Sequence, residues 1–116
     1  MSRDEIMYLQ DIAESCARIL RYTQGLAQTD LIRDQKTYDA VVRNLEIIGE
    51  AAKHISDDLR IQMAGVEWRK IAGMRDLLAH AYFGIDNNIL WDVVQNKIPS
   101  LAATVSGYLR GGRDSK

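Results

Sequence analysis

Apolar residues recur at steps of three and four along most of the chain, and this spacing constrains the fold more than any other feature. In the first segment, residues 3–26, the apolar stripe consists of Ile6, Leu9, Ala13, Cys16 and Leu20. Steps of three to four residues place side chains on one face of an α-helix. The only proline is Pro99, so the rest of the chain lacks the strongest helix breaker. The sequence therefore predicts an all-α fold.

The same spacing predicts further helices after the first. A linker with short helical character, residues 27–34, leads to the longest helix, expected over residues 35–59. A third helix is expected over residues 67–83, with Gly84 as its stop, and a fourth over residues 86–110, with Asp86 as its N-cap and a kink near Pro99. Short loops between such helices predict an up-and-down bundle of four to five helices. We expect one domain over residues 1–110 and a flexible tail over residues 111–116.

Composition excludes several classes of protein. Fifteen Lys and Arg residues balance 16 Asp and Glu residues, which argues against a strongly basic protein that coats nucleic acid. One cysteine excludes an intramolecular disulfide framework, and with only two histidines it also excludes a Cys/His zinc module. No apolar run reaches the roughly 20 residues that cross a bilayer, and no secretory leader is recognisable. We expect a small, soluble, cytoplasmic protein in which Cys16 is a core residue.

The third helix carries the residues that could perform chemistry. Arg75, Asp76 and His80 fall off its apolar stripe. Asp76 and His80 are four residues apart and share a face, so the carboxylate could orient the imidazole. Arg75 lies about 140° around the helix from His80, so a single regular helix does not aim both at one phosphate. In a two-fold dimer, Arg75 of one copy could meet His80 of the other.

These residue types suit transesterification of RNA. An imidazole can take the proton from a ribose 2′-OH or give one to the departing 5′-oxygen. A guanidinium can grip the phosphate and neutralise the charge that grows on its oxygens. This route requires the 2′-OH, so DNA would not be cut. The alternative reading of Arg75 and His80 from their spacing alone is a solvated helix face.

The string Arg75-x4-His80-x-Tyr82, with Asp76 directly after the arginine, resembles the signature of the HEPN superfamily. It is most similar to the HepT-like toxin branch of two-gene toxin–antitoxin modules. Residues 44–52, 68–76 and 82–86, followed by Leu90-Trp91, resemble the same branch. The resemblance covers about four fifths of the chain, in order and at the expected separations.

The resemblance implies a homodimeric all-α bundle in which two Arg-x4-His motifs share one interfacial cleft. It implies an endoribonuclease that needs no metal or other cofactor and leaves a 2′,3′-cyclic phosphate, with Arg75 and His80 catalytic and Asp76 supporting. It also implies a partner, a minimal nucleotidyltransferase antitoxin, which transfers AMP to Tyr82. Each AMP would add negative charge and bulk beside the RNA cleft.

Two other functions stay open at this point. The chain could be a non-catalytic nucleotide-binding or assembly subunit of a nucleotidyltransferase complex, in which Arg75 grips an ATP phosphate. It could also be a purely structural dimerisation domain. At single residues, His80 could be a surface histidine paired with Asp76, Arg75 could form an ion pair with Asp76 of another copy, and Tyr82 could simply pack near the helix end.

Four residues outside the motif receive structural readings. Trp68 and Trp91 are expected to anchor the core or an interface. His54 follows Glu50 by four residues on the long helix, which predicts a surface pair. The functional alternative is that Glu50 lines the cleft.

Overall fold

The chain folds into helices that follow one another through short loops. The computed structural model describes residues 3–80 and 86–111, and for residues 75–80 it describes the backbone alone. Within these residues there is no strand, which confirms the all-α prediction. The elements are α1 Arg3–Thr23, α2 Gln28–Arg33, α3 Gln35–Ala52, α4 Asp57–Gln62, α5 Trp68–His80, α6 Asn87–Asp92, the π-helical segment Val93–Lys97 and α7 Ile98–Arg110.

Helix α3 is the centre of the packing. It contacts both α1 and α5, and α1 in turn contacts α7. Its buried side chains include Val41, Leu45 and Ile48, which were predicted from the apolar spacing. Fully burying one aliphatic side chain stabilises the fold by about 1.5–3 kcal/mol. The core therefore fixes the position of α5, the helix that carries the motif, against the centre of the bundle.

The buried face of α1 is rotated from the predicted stripe. Ile12 and Ile19 are fully buried, whereas Ile6, Ala13 and Leu20 are only partly buried. The reason is that α1 contacts α3 as well as α7, so two neighbours cover it and its buried face differs from a single three-and-four stripe.

The prediction of one helix over residues 35–59 is wrong. Helix α3 ends at Ala52, and α4 begins after Ser56, whose hydroxyl accepts the Leu59 N–H at 3.3 Å. Glu5 Oε2 accepts the Ser56 N–H at 3.1 Å, so α1 holds the break in place. Apolar spacing continues through the break because both α3 and α4 bury side chains in the same core.

The expected kink before Pro99 is confirmed and has a specific form. Proline has no amide hydrogen, so a continuous α-helix cannot keep its usual hydrogen bond there. The chain widens into the π-helical segment, in which the Ile98 N–H donates to the Val93 carbonyl five residues earlier. Pro99 then lies in the first turn of α7, where an amide hydrogen is not needed.

Candidate functional site

The motif lies on the second half of α5, and the first half of that helix is anchored in the core. Trp68 is buried and its indole Nε1 donates to the Met63 carbonyl at 3.1 Å, which confirms the anchoring role predicted for it. Ile71 and Met74 are buried one and two turns later. The helix continues to His80, so the whole stretch from residue 75 to residue 80 has the predicted helical backbone.

The side chains of Arg75, Asp76 and His80 lie outside the described part of the structure, and Tyr82 lies outside it altogether. The helical backbone fixes only their register. Asp76 and His80 are four residues apart on one face, and Arg75 lies about 140° around the axis from His80. Whether these side chains meet each other, or meet those of a second copy, stays a prediction.

Directly after the motif, helix α6 is held by side-chain hydrogen bonds. Asp86 Oδ1 accepts the Asn88 N–H at 2.9 Å, which confirms Asp86 as the N-cap. Tyr38 Oη donates to Asn87 Oδ1 at 2.8 Å, and Gln28 Nε2 donates to Asn88 Oδ1 at 2.8 Å. Helix α6 is therefore tied to α2 and α3, and the stretch that contains Tyr82 joins two elements fixed on the bundle.

A small charge cluster surrounds the start of α5. Lys70 Nζ lies 2.9 Å from Glu67 Oε2, and Lys97 Nζ lies 3.0 Å from Glu67 Oε1. The hydrogen bond from Lys70 and then that from Lys97 lower the pKa of the Glu67 carboxyl. The same contact with Glu67 raises the pKa of the Lys97 ammonium. Arg69 is exposed beside this cluster.

The predicted pair of His54 and Glu50 is confirmed, with His54 Nε2 3.5 Å from Glu50 Oε2 and both side chains about half exposed. Sequence reasoning missed that His54 also stacks on Tyr8, with ring centroids 4.3 Å apart and planes within 8°. Tyr8 lies on α1, far away in the chain, and no spacing rule connects the two residues.

Glu50 lines an open groove between α1 and α3, which we call the α1–α3 groove. Its volume is about 390 Å³, and its charged lining consists of Asp11, Glu46, Glu50 and Arg43. Three carboxylates against one guanidinium give it a net negative charge, which repels a phosphate backbone. The charge thus offers no support to the idea that Glu50 lines an RNA cleft.

Two other chemistries have no basis in the described residues. Among them, no group of three His, Cys, Asp or Glu side chains could hold a metal ion. Cys16 is fully buried, as predicted, and burial raises the pKa of its thiol to about 12, so it is not a nucleophile at neutral pH. In the described ranges, no helix is both long and apolar enough to cross a membrane.

Comparison with known proteins gives one consistent answer. The family model described as "Ribonuclease HepT-like" matches residues 12–107. A probable ribonuclease HepT of Thermococcus cleftensis is 46% identical over 101 residues, which are 87% of this chain and 92% of that protein. A candidate RNase of Methanocaldococcus jannaschii is 40% identical over 98 residues, 84% of this chain and 81% of the relative.

A candidate RNase of Caldanaerobacter subterraneus is 38% identical over 103 residues, 89% of this chain and 92% of the relative. No solved structure matches the chain significantly. The family match covers most of the chain, including all of α5, and the relatives are matched over most of their own length. The chain therefore belongs to the HepT-like ribonuclease family.

Proposed function

We propose that this ribonuclease cleaves RNA without a metal ion, through Arg75 and His80, in a cleft between two copies of the chain. The single observation that carries the proposal is the Arg-x4-His motif, which lies on the helical backbone of α5 within the region matched by the HepT-like ribonuclease family. The anchoring of α5 through Trp68, Ile71 and Met74 supports it, because a rigid helix can hold catalytic groups in a constant register.

The proposed reaction is an internal transesterification. The His80 imidazole accepts the proton of the ribose 2′-OH, and the 2′-oxygen attacks the adjacent phosphorus. The bond from phosphorus to the 5′-oxygen breaks, the leaving oxygen takes up a proton, and the products are a 2′,3′-cyclic phosphate and a 5′-hydroxyl. Arg75 neutralises the charge that grows on the phosphate oxygens, and Asp76 holds the imidazole in one orientation.

The register of α5 supports a site formed by two copies. Arg75 and His80 of one helix point about 140° apart, so one chain does not present both to the same phosphate. Two antiparallel copies of α5 around a two-fold axis would place each Arg75 near the other chain's His80. Two such sites in one cleft would also double the cationic charge contributed by Arg69 and Arg75.

We further propose that the activity is controlled by a nucleotidyltransferase antitoxin that attaches AMP to Tyr82. Tyr82 is two residues beyond His80, so an added nucleotide would stand at the edge of the proposed cleft. Its phosphate would repel the RNA backbone and its nucleoside would block entry. Intact mass spectrometry after co-expression with the neighbouring gene tests this, because modification adds one or more AMP units that a Tyr82→Phe chain does not acquire.

The catalytic proposal is tested by incubating labelled RNA with purified protein in excess chelator. We expect wild-type protein to leave 2′,3′-cyclic phosphate ends and to spare an all-deoxy substrate of the same sequence. Arg75→Ala and His80→Ala should each lower the cleavage rate at least about a hundredfold. Arg33→Ala and His54→Ala are matched controls on exposed residues outside α5 and should cleave at the wild-type rate.

Wild-type cleavage rates in both Arg75→Ala and His80→Ala would contradict the catalytic assignment. ATP binding without any RNA cleavage would instead favour a non-catalytic nucleotide-binding subunit. Circular dichroism spectra and thermal melts of all four variants should match those of the wild type, because none of the four replaces a core residue of the described structure.

A further inference from the structure

A second groove runs beside the motif helix, between α5 and the stretch formed by α6 and the π-helical segment. Its volume is about 350 Å³ and its walls are apolar, formed by Ile71, Met74, Ile89 and Val93. We call it the α5–α6 groove. Lys70 and Lys97 stand at its rim with Glu67 and Asp92, and Gly73 opens one side of it.

We propose that the α5–α6 groove binds one unpaired base of the RNA substrate, close to the linkage that is cut. This inference rests on the proposed ribonuclease function and adds to it a site that selects the conformation, and in part the identity, of a nucleotide. Three features of the groove point to this occupant: its apolar walls, its charge and its register with the motif.

The walls match the chemistry of a nucleobase. The faces of a base are uncharged, and proteins hold extruded or single-stranded bases between aromatic or apolar side chains. The groove volume falls within the usual range for small-molecule sites, roughly 300–1,000 Å³. Ile89 is 51% exposed at its wall, so a base would cover an apolar side chain that now faces water. The thioether of Met74 makes favourable contacts with aromatic rings.

The charge at the rim admits RNA where the other large groove does not. Lys70 and Lys97 balance Glu67 and Asp92, so the α5–α6 groove has no net charge to repel a phosphate. The α1–α3 groove, with three carboxylates and one guanidinium, repels it. Lys70 is 77% exposed, so its ammonium can reach a phosphate from the position it holds beside Glu67.

The register of α5 connects the groove to the motif. Gly73 and His80 are seven residues apart, which is nearly two full turns, so they share a face to within about 20°. The distance between them along the helix axis is about 10.5 Å. Since stacked nucleotides rise about 3.4 Å each, a base in the groove lies within a few nucleotides of His80.

Gly73 offers a way to fill the groove without disturbing the core. It is exposed, and a Cβ added to it meets no atom within 4 Å. Gly73→Leu would place an isobutyl group in the opening, and Gly73→Ala would add a single methyl as its reference. Ala17→Leu enlarges an exposed alanine on α1 by a similar amount, away from both α5 and α6, and is the matched control.

The test measures binding and cleavage of short unpaired RNA oligomers in which one nucleotide at a time is abasic. With wild-type protein, we expect removal of one particular base near the cut to weaken binding about tenfold, the effect of one lost base contact. Gly73→Leu should bind the intact oligomer about tenfold more weakly and lose its response to that abasic position. Gly73→Ala and Ala17→Leu should keep the response.

Equal binding and equal abasic responses in wild type and Gly73→Leu would overturn the base subsite. A changed oligomeric state of Gly73→Leu in light scattering, with no change in the abasic response, would also overturn it and identify the groove as a protein interface. Neither result touches the proposed function, which fails only if cleavage does not depend on Arg75 and His80. Fluorescence anisotropy on the same oligomers decides the subsite even in that case, because it needs no cleavage.

Discussion

Lys97 lies 3.0 Å from Glu67, thirty residues earlier in the chain, and so ties the π-helical segment to the start of the motif helix. The other carboxylate oxygen of Glu67 binds Lys70 on the first turn of α5. A single carboxylate thus joins the two sides of the α5–α6 groove. The contact is exposed, so its effect on stability is small and depends on salt.

Replacing Glu67 by Gln should remove a pH-dependent part of the stability. The pKa of the Glu67 carboxyl is lowered in the folded protein by its hydrogen bonds to Lys70 and Lys97, so its contribution is present above the ordinary value of 4.5 and is lost as the pH falls through the folded pKa. We expect Glu67→Gln to lower the urea midpoint at neutral pH but to match wild type at about pH 3. An equal difference between the two proteins at both pH values would contradict this.

The alkaline side has the opposite sign. The pKa of Lys97 is raised above its ordinary value of 10.5, so its contribution is present below that value and is lost as the pH rises through the folded pKa. Asp34→Asn is a useful comparison for the acid side, because hydrogen bonds from Thr37 lower the pKa of Asp34 at the start of α3, away from the groove.

The Cys16 thiol should be inert in the folded protein. It is fully buried in α1, and burial raises its pKa to about 12, so little thiolate exists at pH 8 and reagents cannot reach it. We expect Ellman's reagent to react with native protein only at the rate of unfolding, and at once in guanidinium chloride. Rapid stoichiometric reaction of native protein would contradict the burial of this side chain.

Asp86→Ala should destabilise the protein by about 1 kcal/mol, the usual effect of losing an N-cap side chain. Asp86 Oδ1 accepts the Asn88 N–H at 2.9 Å and the Ile89 N–H at 3.2 Å. Asp86→Asn keeps an acceptor at the same position and should retain most of the stability. Chemical denaturation of the three proteins checks this, and an equal loss in Asp86→Asn and Asp86→Ala would show that the cap bonds are not the cause.

Much of the fold could be predicted from local rules. Apolar spacing identified the buried face of α3, the N-cap Asp86 could be recognised from its residue type, and Pro99 marked the π-helical segment. The break between α3 and α4 could not be predicted, because it depends on the contact between Glu5 and Ser56, 51 residues apart. The rotation of the α1 face depends in the same way on which helices pack beside it.

The candidate site divides along the same line. The register of Arg75, Asp76 and His80 on one helix follows from their spacing alone. The grooves on either side do not, because each is formed by helices distant in sequence. The joint hold of Glu67 on Lys70 and Lys97 shows this, since only the pair with Lys70 has a helical spacing.

The central claim, that Arg75 of one copy acts with His80 of another, is tested most directly by mixing two inactive variants. Arg75→Ala and His80→Ala chains are unfolded together in equal amounts, refolded, and assayed on RNA in chelator beside each variant alone. A site built across the two-fold axis predicts about one quarter of the wild-type activity, since half of the dimers are mixed and each has one intact site of two. Activity no higher than that of the separate variants, with mixed dimers confirmed by native mass spectrometry, would contradict the shared site.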